Sequence, residues 1–318
     1  MTIAGARRLF AAAAVWIAMA SPAWCGDVSA LYEFGSNPGK LWGSVYRPSR
    51  AARPAPLVVV LHGCGDTGRA YAEDSGWTEL AERFGWVLLL PEQPFFNNPA
   101  NCFNWFDAAT TRRDAGEALS IRQMIATVAA RYGINPGRVY VTGLSAGGAM
   151  TAVMLADYPE LFAGGAILAG IPFGCATTLH DAEHCLMPGR DREPEAWARL
   201  VRAAAPAPKR YPRLMVWQGD RDTVVAPKNA RALVQQWGAV QGLNLAAGRS
   251  DRLRGLPRWS WRDAAGETVL ELVVVPGMDH DGDVIAGKTP VSCHPDAPAG
   301  AVCPSLEIAR FWGLVPAR

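Results

Sequence analysis

The sequence predicts a single α/β domain built on a mostly parallel, doubly wound sheet. From residue 57 onward, short apolar runs alternate with segments of helical spacing, which is the pattern of strands joined by crossover helices. Residues 57–61 (Leu-Val-Val-Val-Leu) are apolar at every position, as expected for a strand that is covered on both faces. A chain of 318 residues is long enough for one such domain with a large core.

The predicted elements follow in order along the chain. Residues 31–34 and 40–46 are predicted as two antiparallel strands around a turn that contains Pro38 and Gly39. The further predicted strands are 57–61, 86–90, 139–141, 165–169, 213–217 and 269–275. The predicted helices are 77–84, 115–132, a helix from 146 onward, 195–204, 227–237 and 306–314. Residues 172–212 are otherwise irregular and leave room for a small cap segment.

Residues 1–25 differ from the rest of the chain and predict a signal peptide, followed by one domain over 26–318. Arg7 and Arg8 precede an apolar run over 9–20 and then small residues. That run is too short to span a membrane. The small residues allow cleavage after Ala20 or after Cys25, and we prefer Cys25. Because of the arginine pair, both the general and the twin-arginine export routes remain possible. The protein is therefore predicted to be extracellular or periplasmic.

Charge and cysteine content narrow the class of protein further. Removal of residues 1–25 lowers the formal net charge from +2 to 0, which argues against a basic nucleic-acid-binding protein. Cleavage after Cys25 leaves six of the seven cysteines, an even number that fits an oxidising compartment. Their order along the chain favours three local disulfides, Cys64–Cys102, Cys175–Cys185 and Cys293–Cys303.

The strongest chemical signal is the pentapeptide 143–147, Gly-Leu-Ser-Ala-Gly. It lies between the predicted strand 139–141 and a predicted helix, the context of a nucleophile elbow in which a tight turn exposes the serine above the sheet. The helix that begins there directs free N–H groups and its positive dipole end toward Ser145. An ordinary glycine-rich turn with a solvated serine is the alternative. The strand–turn–helix context favours Ser145 as a nucleophile.

A serine nucleophile needs a base and a group that orients the base. His280 follows the last predicted strand, and catalytic groups in open α/β sheets gather at the carboxyl ends of strands. Asp220 and Asp222 follow the preceding strand, which gives the order serine, acid, histidine. We prefer Asp222 as the acid, with Asp220 as the second candidate; a turn or helix cap is the alternative for either.

The loop after the strand 57–61 is the candidate for half of an oxyanion hole. One N–H donor is expected from Ala146, directly after the nucleophile, and the other from the backbone of Cys64. A Cys64–Cys102 disulfide would hold this loop against the aromatic segment that follows the next strand. His62 is a formal second base, but a ring that packs beneath the oxyanion loop is the favoured interpretation.

A second group of metal-ligating residue types occurs at Cys175, His180, His184 and Cys185. The spacing of the two histidines is compatible with zinc. In an exported chain with paired cysteines a disulfide is favoured, so we predict no metal site. Nothing in the sequence singles out His294.

Several segments together resemble the esterase/polyhydroxybutyrate depolymerase family of secreted α/β-hydrolases. The likeness lies in 61–64 (Leu-His-Gly-Cys), 101–106 (Asn-Cys-Phe-Asn-Trp-Phe), 140–150 (Tyr-Val-Thr-Gly-Leu-Ser-Ala-Gly-Gly-Ala-Met) and 169–175 (Ala-Gly-Ile-Pro-Phe-Gly-Cys). It covers most of 57–282. The resemblance implies the α/β-hydrolase fold, Ser145, Asp222 and His280 as the triad, no cofactor, and hydrolysis of carboxylic esters.

The leading hypothesis is therefore an exported serine esterase that acts through an acyl-enzyme, similar to depolymerases of 3-hydroxybutyrate esters. Trp105, Phe106, Phe95 and Phe96 are candidates for an apolar wall of the substrate pocket, with plain core packing as the alternative for each. A feruloyl or acetylxylan esterase of the same fold is the first rival. An inactive relative that only binds a polymer or a carbohydrate is the rival from another class, and the retained serine, histidine and aspartates argue against it.

Overall fold

A computed structural model describes residues 26–206, 208–280 and 302–315, which form a ten-stranded sheet with helices on both faces. The strands are β1 (Asp27–Ala30), β2 (Trp42–Arg47), β3 (Ala55–Leu61), β4 (Val87–Glu92), β5 (Ile134–Leu144), β6 (Gly164–Leu168), β7 (Arg213–Gly219), β8 (Arg249–Leu253), β9 (Leu256–Arg262) and β10 (Thr268–Val275). The helices are α1 (Gly68–Asp74), α2 (Trp77–Phe84), α3 (Gly116–Tyr132), α4 (Ala146–Asp157), α5 (Leu179–Leu186), α6 (Pro194–Ala204), α7 (Lys228–Val240) and α8 (Pro304–Phe311).

The order of strands across the sheet is β1-β2-β4-β3-β5-β6-β7-β10-β9-β8. The six central strands, β4, β3, β5, β6, β7 and β10, run parallel to one another. Two further strands lie at each edge, β2 and β1 on one side and β9 and β8 on the other, and they pair antiparallel. The predicted doubly wound, mostly parallel sheet is confirmed. Because the carboxyl ends of the parallel strands share one edge, the loops after β3, β5, β7 and β10 meet there.

Two apolar layers explain why strand β3 has no polar position. Leu57, Val59 and Leu61 face one layer, which α3, α4, α6 and α7 complete, whereas Val58 and Val60 face a second layer formed with α1, α2 and α8. Side chains alternate between the faces of a strand, so a strand covered on both sides must be apolar throughout. The central strands therefore form a rigid base for the loops at the carboxyl edge.

The first predicted strand is wrong by several residues. The structure begins the sheet at β1, which pairs with β2 from Asp27↔Arg47 to Ala30↔Ser44. Residues 31–34 form a loop, and their apolar character has another cause, because Leu31 and Phe34 pack in the same layer as α3. Burial of a loop against a helix produced the apolar signal that a strand would give.

Four further elements, β8, β9, α1 and α5, were not predicted from the sequence. The hairpin β8–β9 lies at the sheet edge, where half-exposed polar and charged positions replace the apolar run that predicts a strand. Helices α1 and α5 are short, and each buries few apolar side chains (Tyr71 and Ala72 in α1, Ala182 and Cys185 in α5), so neither shows a clear helical period. Within residues 172–212, where the sequence left a small cap possible, the predicted helix 195–204 is present as α6 and packs in the main layer beside α7. Any cap is therefore confined to the part around α5.

Two of the three predicted disulfides are present, Cys64–Cys102 and Cys175–Cys185. The third involves Cys293, which lies outside the described residues, as does the predicted signal peptide. Among the described helices, none has both the length and the apolar composition that crossing a membrane requires.

Candidate active site

Ser145 occupies a strained turn between β5 and α4. Its φ of 56° and ψ of −118° lie in a backbone region that residues with a side chain seldom adopt, a strain worth about 1–3 kcal/mol. The turn is held on both sides, since the N–H of Ser145 donates to the Leu168 carbonyl at 2.9 Å and its own carbonyl accepts from Ala149 at 2.9 Å. The strain therefore persists in the folded protein and keeps the side chain above the sheet edge.

The glycines of the pentapeptide are required by close backbone contacts. A Cβ added at Gly147 would lie 2.2 Å from the carbonyl oxygen of Leu61, and one added at Gly143 would lie 2.4 Å from the backbone of Gly147. Neither position has room for a side chain. Helix α4 thus approaches the end of strand β3 closely enough to bring the loop after β3 beside the serine.

The serine, histidine and aspartate candidates lie within hydrogen-bonding distance of one another. Nε2 of His280 is 2.9 Å from Oγ of Ser145, and Nδ1 of His280 is 2.9 Å from Oδ2 of Asp222. A carboxylate only accepts hydrogen bonds, so the proton of neutral His280 lies on Nδ1 and Nε2 accepts the hydroxyl hydrogen of Ser145. The arrangement can remove the hydroxyl proton from Ser145.

Asp222 is buried and fully hydrogen-bonded, with 1% of its side chain exposed. Its Oδ1 accepts from the N–H groups of Val224 at 3.0 Å and Val225 at 2.8 Å, while Oδ2 accepts from Gln218 at 2.9 Å as well as from His280. The second acid candidate, Asp220, points elsewhere and accepts from the N–H of Gly277 at 2.6 Å. The structure thus places Asp222, not Asp220, against the imidazole.

A further carboxylate connects the loops that carry Asp222 and His280. Oδ1 of Asp279 accepts from the N–H and the hydroxyl of Thr223, at 2.9 Å and 3.0 Å, and from the N–H of His280 at 2.7 Å. These hydrogen bonds lower the pKa of Asp279, the one from the Thr223 backbone most of all. This contact joins residues 56 positions apart, so no local sequence pattern predicts it.

His62 fixes the orientation of the peptide group that precedes Cys64. Its Nδ1–H donates to the Gly63 carbonyl at 2.7 Å, and its Nε2 accepts from the N–H of Gln93 at 3.0 Å. Both ring nitrogens are used by the neutral form, and burial lowers the pKa of the ring. Because a peptide group is planar and trans, the fixed Gly63 carbonyl also fixes the direction of the Cys64 N–H.

The backbone N–H groups of Cys64 and Ala146 are the candidates for the oxyanion hole beside the serine. A Cβ added at Gly63 would lie 3.7 Å from Cβ of Ser145, so the oxyanion loop and the nucleophile are direct neighbours. Within the described parts of the chain, the N–H of Cys64 has no acceptor. The N–H of Ala146, the first residue of α4, has none within its own helix. Donors of this kind stabilise negative charge that develops on a carbonyl oxygen.

A buried carboxylate, Glu117, supports the loops around this site. It accepts from the Gln93 side chain at 2.6 Å and from the backbone and side chain of Asn104 at 2.9 Å and 2.6 Å. Burial raises the pKa of Glu117 to about 7. The side chain of Gln93 also donates to the Cys102 carbonyl at 3.0 Å, and its backbone N–H donates to His62. One hydrogen-bond network therefore connects His62, the Cys64–Cys102 disulfide and the aromatic segment 101–106.

The four pocket candidates divide into two pairs. Trp105 and Phe106 meet edge to face at 5.5 Å and belong to the apolar cluster that contains Ala146, beside the nucleophile. Phe95 and Phe96 are about two-thirds exposed and belong to no buried cluster of the described residues. The turn after β4 directs both rings to the surface, which excludes the alternative of core packing for Phe95 and Phe96. Their role as pocket walls stays a prediction.

The alternative zinc site loses its thiolates, since Cys175 and Cys185 are bonded to each other. The rings of His180 and His184 meet edge to face at 5.4 Å. Over the described residues, no three histidine, cysteine or acidic side chains are grouped as metal ligands would be.

Comparison with known proteins identifies the family of the chain. A family model described as esterase PHB depolymerase matches residues 42–255. The chain belongs to the esterase PHB depolymerase family. Among curated members, poly(3-hydroxyalkanoate) depolymerase C of Paucimonas lemoignei is 40% identical over 291 residues, which cover 89% of this chain and 69% of that protein.

Other relatives of this esterase carry different names. Feruloyl esterase B of Neurospora crassa is 30% identical over 301 residues, covering 92% of this chain and 94% of that protein. A solved acetyl xylan esterase from Aspergillus awamori aligns with a TM-score of 0.78 and 25% identity, over 91% of this chain and all of that one. The chain is therefore a carboxylic ester hydrolase with the α/β-hydrolase fold, and the predictions of family, fold and enzyme class are confirmed.

We expect the His62→Ala variant of this esterase to have a kcat lowered on the order of tenfold to a hundredfold, with a smaller change in KM. Without the ring, the Gly63–Cys64 peptide loses the hydrogen bond that fixes its orientation. Steady-state kinetics on a soluble nitrophenyl ester measures the effect. His62→Asn, which restores an N–H close to the position of Nδ1, should recover part of the kcat. A folded His62→Ala enzyme with the kcat of the unchanged protein would contradict this role.

We expect the Glu117→Gln variant to gain stability relative to the unchanged esterase as the pH rises. The folded pKa of Glu117 is raised from 4.5 to about 7, so the folded state binds its proton more tightly than the unfolded state does. The unchanged protein therefore loses stability between these two values, by on the order of 3 kcal/mol, and the neutral glutamine does not. Urea unfolding of both proteins at pH 5 and pH 8 measures the difference. An equal stability difference at the two pH values would contradict it.

Proposed function

We propose that this esterase hydrolyses esters of short-chain 3-hydroxyalkanoic acids, including their polymers, with Ser145 as nucleophile. The observation that carries the proposal is the chain of 2.9 Å contacts from Ser145 through His280 to Asp222. The N–H groups of Cys64 and Ala146 have no acceptor among the described backbone hydrogen bonds. The substrate class is supported by the 40% identity to a poly(3-hydroxyalkanoate) depolymerase. This neutral, apolar class of ester also suits the Trp105 and Phe106 rings near the nucleophile.

The first half-reaction forms an acyl-enzyme. Oγ of Ser145 attacks the ester carbonyl carbon while its proton passes to Nε2 of His280. The carbonyl oxygen becomes an oxyanion that the N–H groups of Cys64 and Ala146 stabilise. When the carbon–oxygen bond to the alcohol breaks, His280 returns the proton to the departing oxygen. Asp222 keeps the imidazole in the Nδ1–H tautomer and stabilises the transient imidazolium.

The second half-reaction releases the acid. Water attacks the acyl-enzyme carbonyl and passes a proton to Nε2 of His280. The tetrahedral intermediate uses the same two N–H groups. Its collapse breaks the bond to Oγ of Ser145, which takes the proton back. No redox step and no other reactant are required.

A feruloyl or acetylxylan ester is the second candidate substrate. It is supported by the feruloyl esterase that matches nearly the whole chain and by the acetyl xylan esterase with the similar fold. Both candidates use the same nucleophile and the same oxyanion donors, so they differ only in the acyl and alcohol groups bound beside Trp105 and Phe106.

A panel of esters decides between these substrates. The kcat/KM values for a 3-hydroxybutyrate trimer, methyl ferulate and acetylated xylan are compared, with a fluorophosphonate probe used to count active Ser145. We expect the trimer to give the highest kcat/KM. A higher value for methyl ferulate or acetylated xylan would overturn the substrate class, and failure of the probe to label Ser145 would overturn the mechanism.

The same proposal includes export, with residues 1–25 as the cleaved signal peptide. It is supported by the Cys64–Cys102 and Cys175–Cys185 disulfides, which are typical of oxidising compartments. Sequencing the N-terminus of the exported protein tests it: Gly26 is expected as the first residue, with Ser21 as the outcome for cleavage after Ala20. An exported protein that still begins at Met1 would contradict the proposal.

A further inference from the structure

A group of exposed aromatic side chains, here called the aromatic surface, consists of Tyr32, Trp42, Phe95 and Phe96. Between 55% and 74% of each is exposed. Trp42 and Phe96 meet edge to face with ring centroids 5.6 Å apart, and Tyr32 and Trp42 line one groove of about 660 Å³. Large apolar side chains that are grouped on a protein surface commonly mark a binding site.

The loops that carry these rings are held in place. The side chain of Asn97 donates to the Gly39 carbonyl at 2.9 Å, which joins the loop after β4 to the loop before β2. Gly39 in turn donates to Ser120 on α3 at 2.8 Å. Asn37 closes the second loop by exchanging hydrogen bonds with the backbone of Leu41 at 2.9 Å and 3.0 Å. Rings on ordered loops lose little conformational entropy when they bind.

The aromatic surface lies on the same edge of the sheet as the nucleophile. Trp42 pairs with Glu92 at the carboxyl end of β4, and the parallel register continues from β4 through β3 to β5, which ends at Leu144. Strands β2 and β5 are three places apart in the sheet. At the usual spacing between strands this is about 14 Å, a distance that a short stretch of a polymer chain covers.

The aromatic surface is also joined structurally to the oxyanion loop. The N–H of Gln93, two residues before Phe95, donates to the His62 ring that orients the Cys64 peptide. Further along the loop that carries Phe95 and Phe96, the Ala100 carbonyl accepts from the N–H of Gly65 at 2.9 Å, next to the Cys64–Cys102 disulfide. The distance from the aromatic surface to Ser145 is therefore set by the fold.

We propose that the aromatic surface binds a polyester chain outside the catalytic centre and directs the adjoining ester bonds to Ser145. The inference rests on the proposed function, since it takes the polymer of 3-hydroxyalkanoic acids as the substrate. Such a chain is uncharged and carries methyl or short alkyl branches. The rings supply an apolar contact, and the neighbouring groove provides space for the branches.

Two other occupants fit the aromatic surface less well. Four rings exposed to this extent offer roughly 500 Å² of contact area, whereas a stable dimer needs about 800 Å² from each partner. A polysaccharide would stack its sugar rings on flat, parallel aromatic platforms, but the Trp42 and Phe96 rings are inclined by 65°. Two of the four rings are phenylalanines, which have no group to hydrogen-bond a sugar hydroxyl.

The experiment separates binding from hydrolysis by using the Ser145→Ala background. Adsorption of this protein to amorphous poly(3-hydroxybutyrate) particles is compared with that of the same protein carrying Trp42→Ala and Phe96→Ala. We expect the added substitutions to weaken adsorption about tenfold. Leu179→Ala with Met187→Ala, which removes exposed apolar side chains elsewhere, is the matched control and should adsorb as the parent does.

A second measurement uses the active enzyme. For Trp42→Ala/Phe96→Ala, the rate on polymer particles divided by the rate on a soluble 3-hydroxybutyrate ester should fall about tenfold. Division by the rate on the soluble ester removes any general loss of activity. Equal adsorption and an unchanged ratio would overturn the proposal, as would adsorption to acetylated xylan in place of polyester, or loss of a dimer as the only effect of the substitutions.

Failure of the proposed function gives a different result. An enzyme that does not hydrolyse the soluble 3-hydroxybutyrate ester would refute the substrate class, whatever the particles adsorb. An enzyme that hydrolyses the soluble ester, but whose adsorption to the polymer is unaffected by Trp42→Ala/Phe96→Ala, would refute only the role of the aromatic surface.

Discussion

Replacement of Ser145 by alanine is expected to lower kcat on a short-chain nitrophenyl ester by on the order of 10⁵- to 10⁶-fold. The substitution removes the hydroxyl oxygen that lies 2.9 Å from Nε2 of His280, so water is left as the nucleophile for His280 to activate. The turn keeps its backbone hydrogen bonds to Leu168 and Ala149. Stopped assays with enzyme at high concentration measure the residual rate.

The control for this experiment is Ser250→Ala, which alters an exposed serine on β8 and should keep full activity. Circular dichroism and the thermal midpoint establish that both variants are folded. A Ser145→Ala enzyme that is folded and retains even a hundredth of the original kcat would contradict the assignment of Ser145 as nucleophile.

The second large effect is expected for Asp222→Asn, which should lower kcat on the order of 10⁴-fold. The side-chain oxygen of asparagine must remain at Oδ1, because two backbone N–H groups donate there. The new NH₂ group then faces Nδ1 of His280 and forces the proton of the ring onto Nε2. In that tautomer the imidazole cannot accept the hydroxyl proton of Ser145.

Asp220→Asn is the matched control for this prediction. It alters a neighbouring aspartate that accepts from Gly277 and does not contact the imidazole, so a change in kcat of less than about threefold is expected for a surface substitution of this kind. The two variants are compared on one soluble ester from pH 6 to pH 9. A larger loss for Asp220→Asn than for Asp222→Asn would reverse the choice of acid.

The order of residues along the chain was enough to nominate Ser145, Asp222 and His280. The signal was strong because a nucleophile elbow joins a strand, a turn and a helix that are adjacent in sequence. The acid and base could be nominated because each follows a strand, and the carboxyl ends of parallel strands share one edge. The choice between Asp220 and Asp222 depended on backbone direction in a loop, for which the sequence offered only a preference.

The residues that hold the triad and the oxyanion loop in place could not be predicted from their position in the sequence. Asp279 and Thr223 are 56 positions apart, and Gln93 meets His62 from a different loop. Glu117 did leave a signal: it lies on the same stripe of α3 as Ile121, Met124 and Val128, all buried. An acidic residue on a buried face indicates a local hydrogen-bond network, but its partners come from separate segments.

By itself the sequence determined the doubly wound sheet, the elbow and the esterase family, because these depend on local periodicity and on motifs of a few adjacent residues. Only the tertiary structure decided which aspartate meets His280, how the His62 ring orients the Cys64 N–H, and that Phe95 and Phe96 lie on the surface. The reason is physical. Hydrophobic patterning specifies which face of an element is buried, whereas the direction of a loop side chain depends on hydrogen bonds between segments that are distant in the chain.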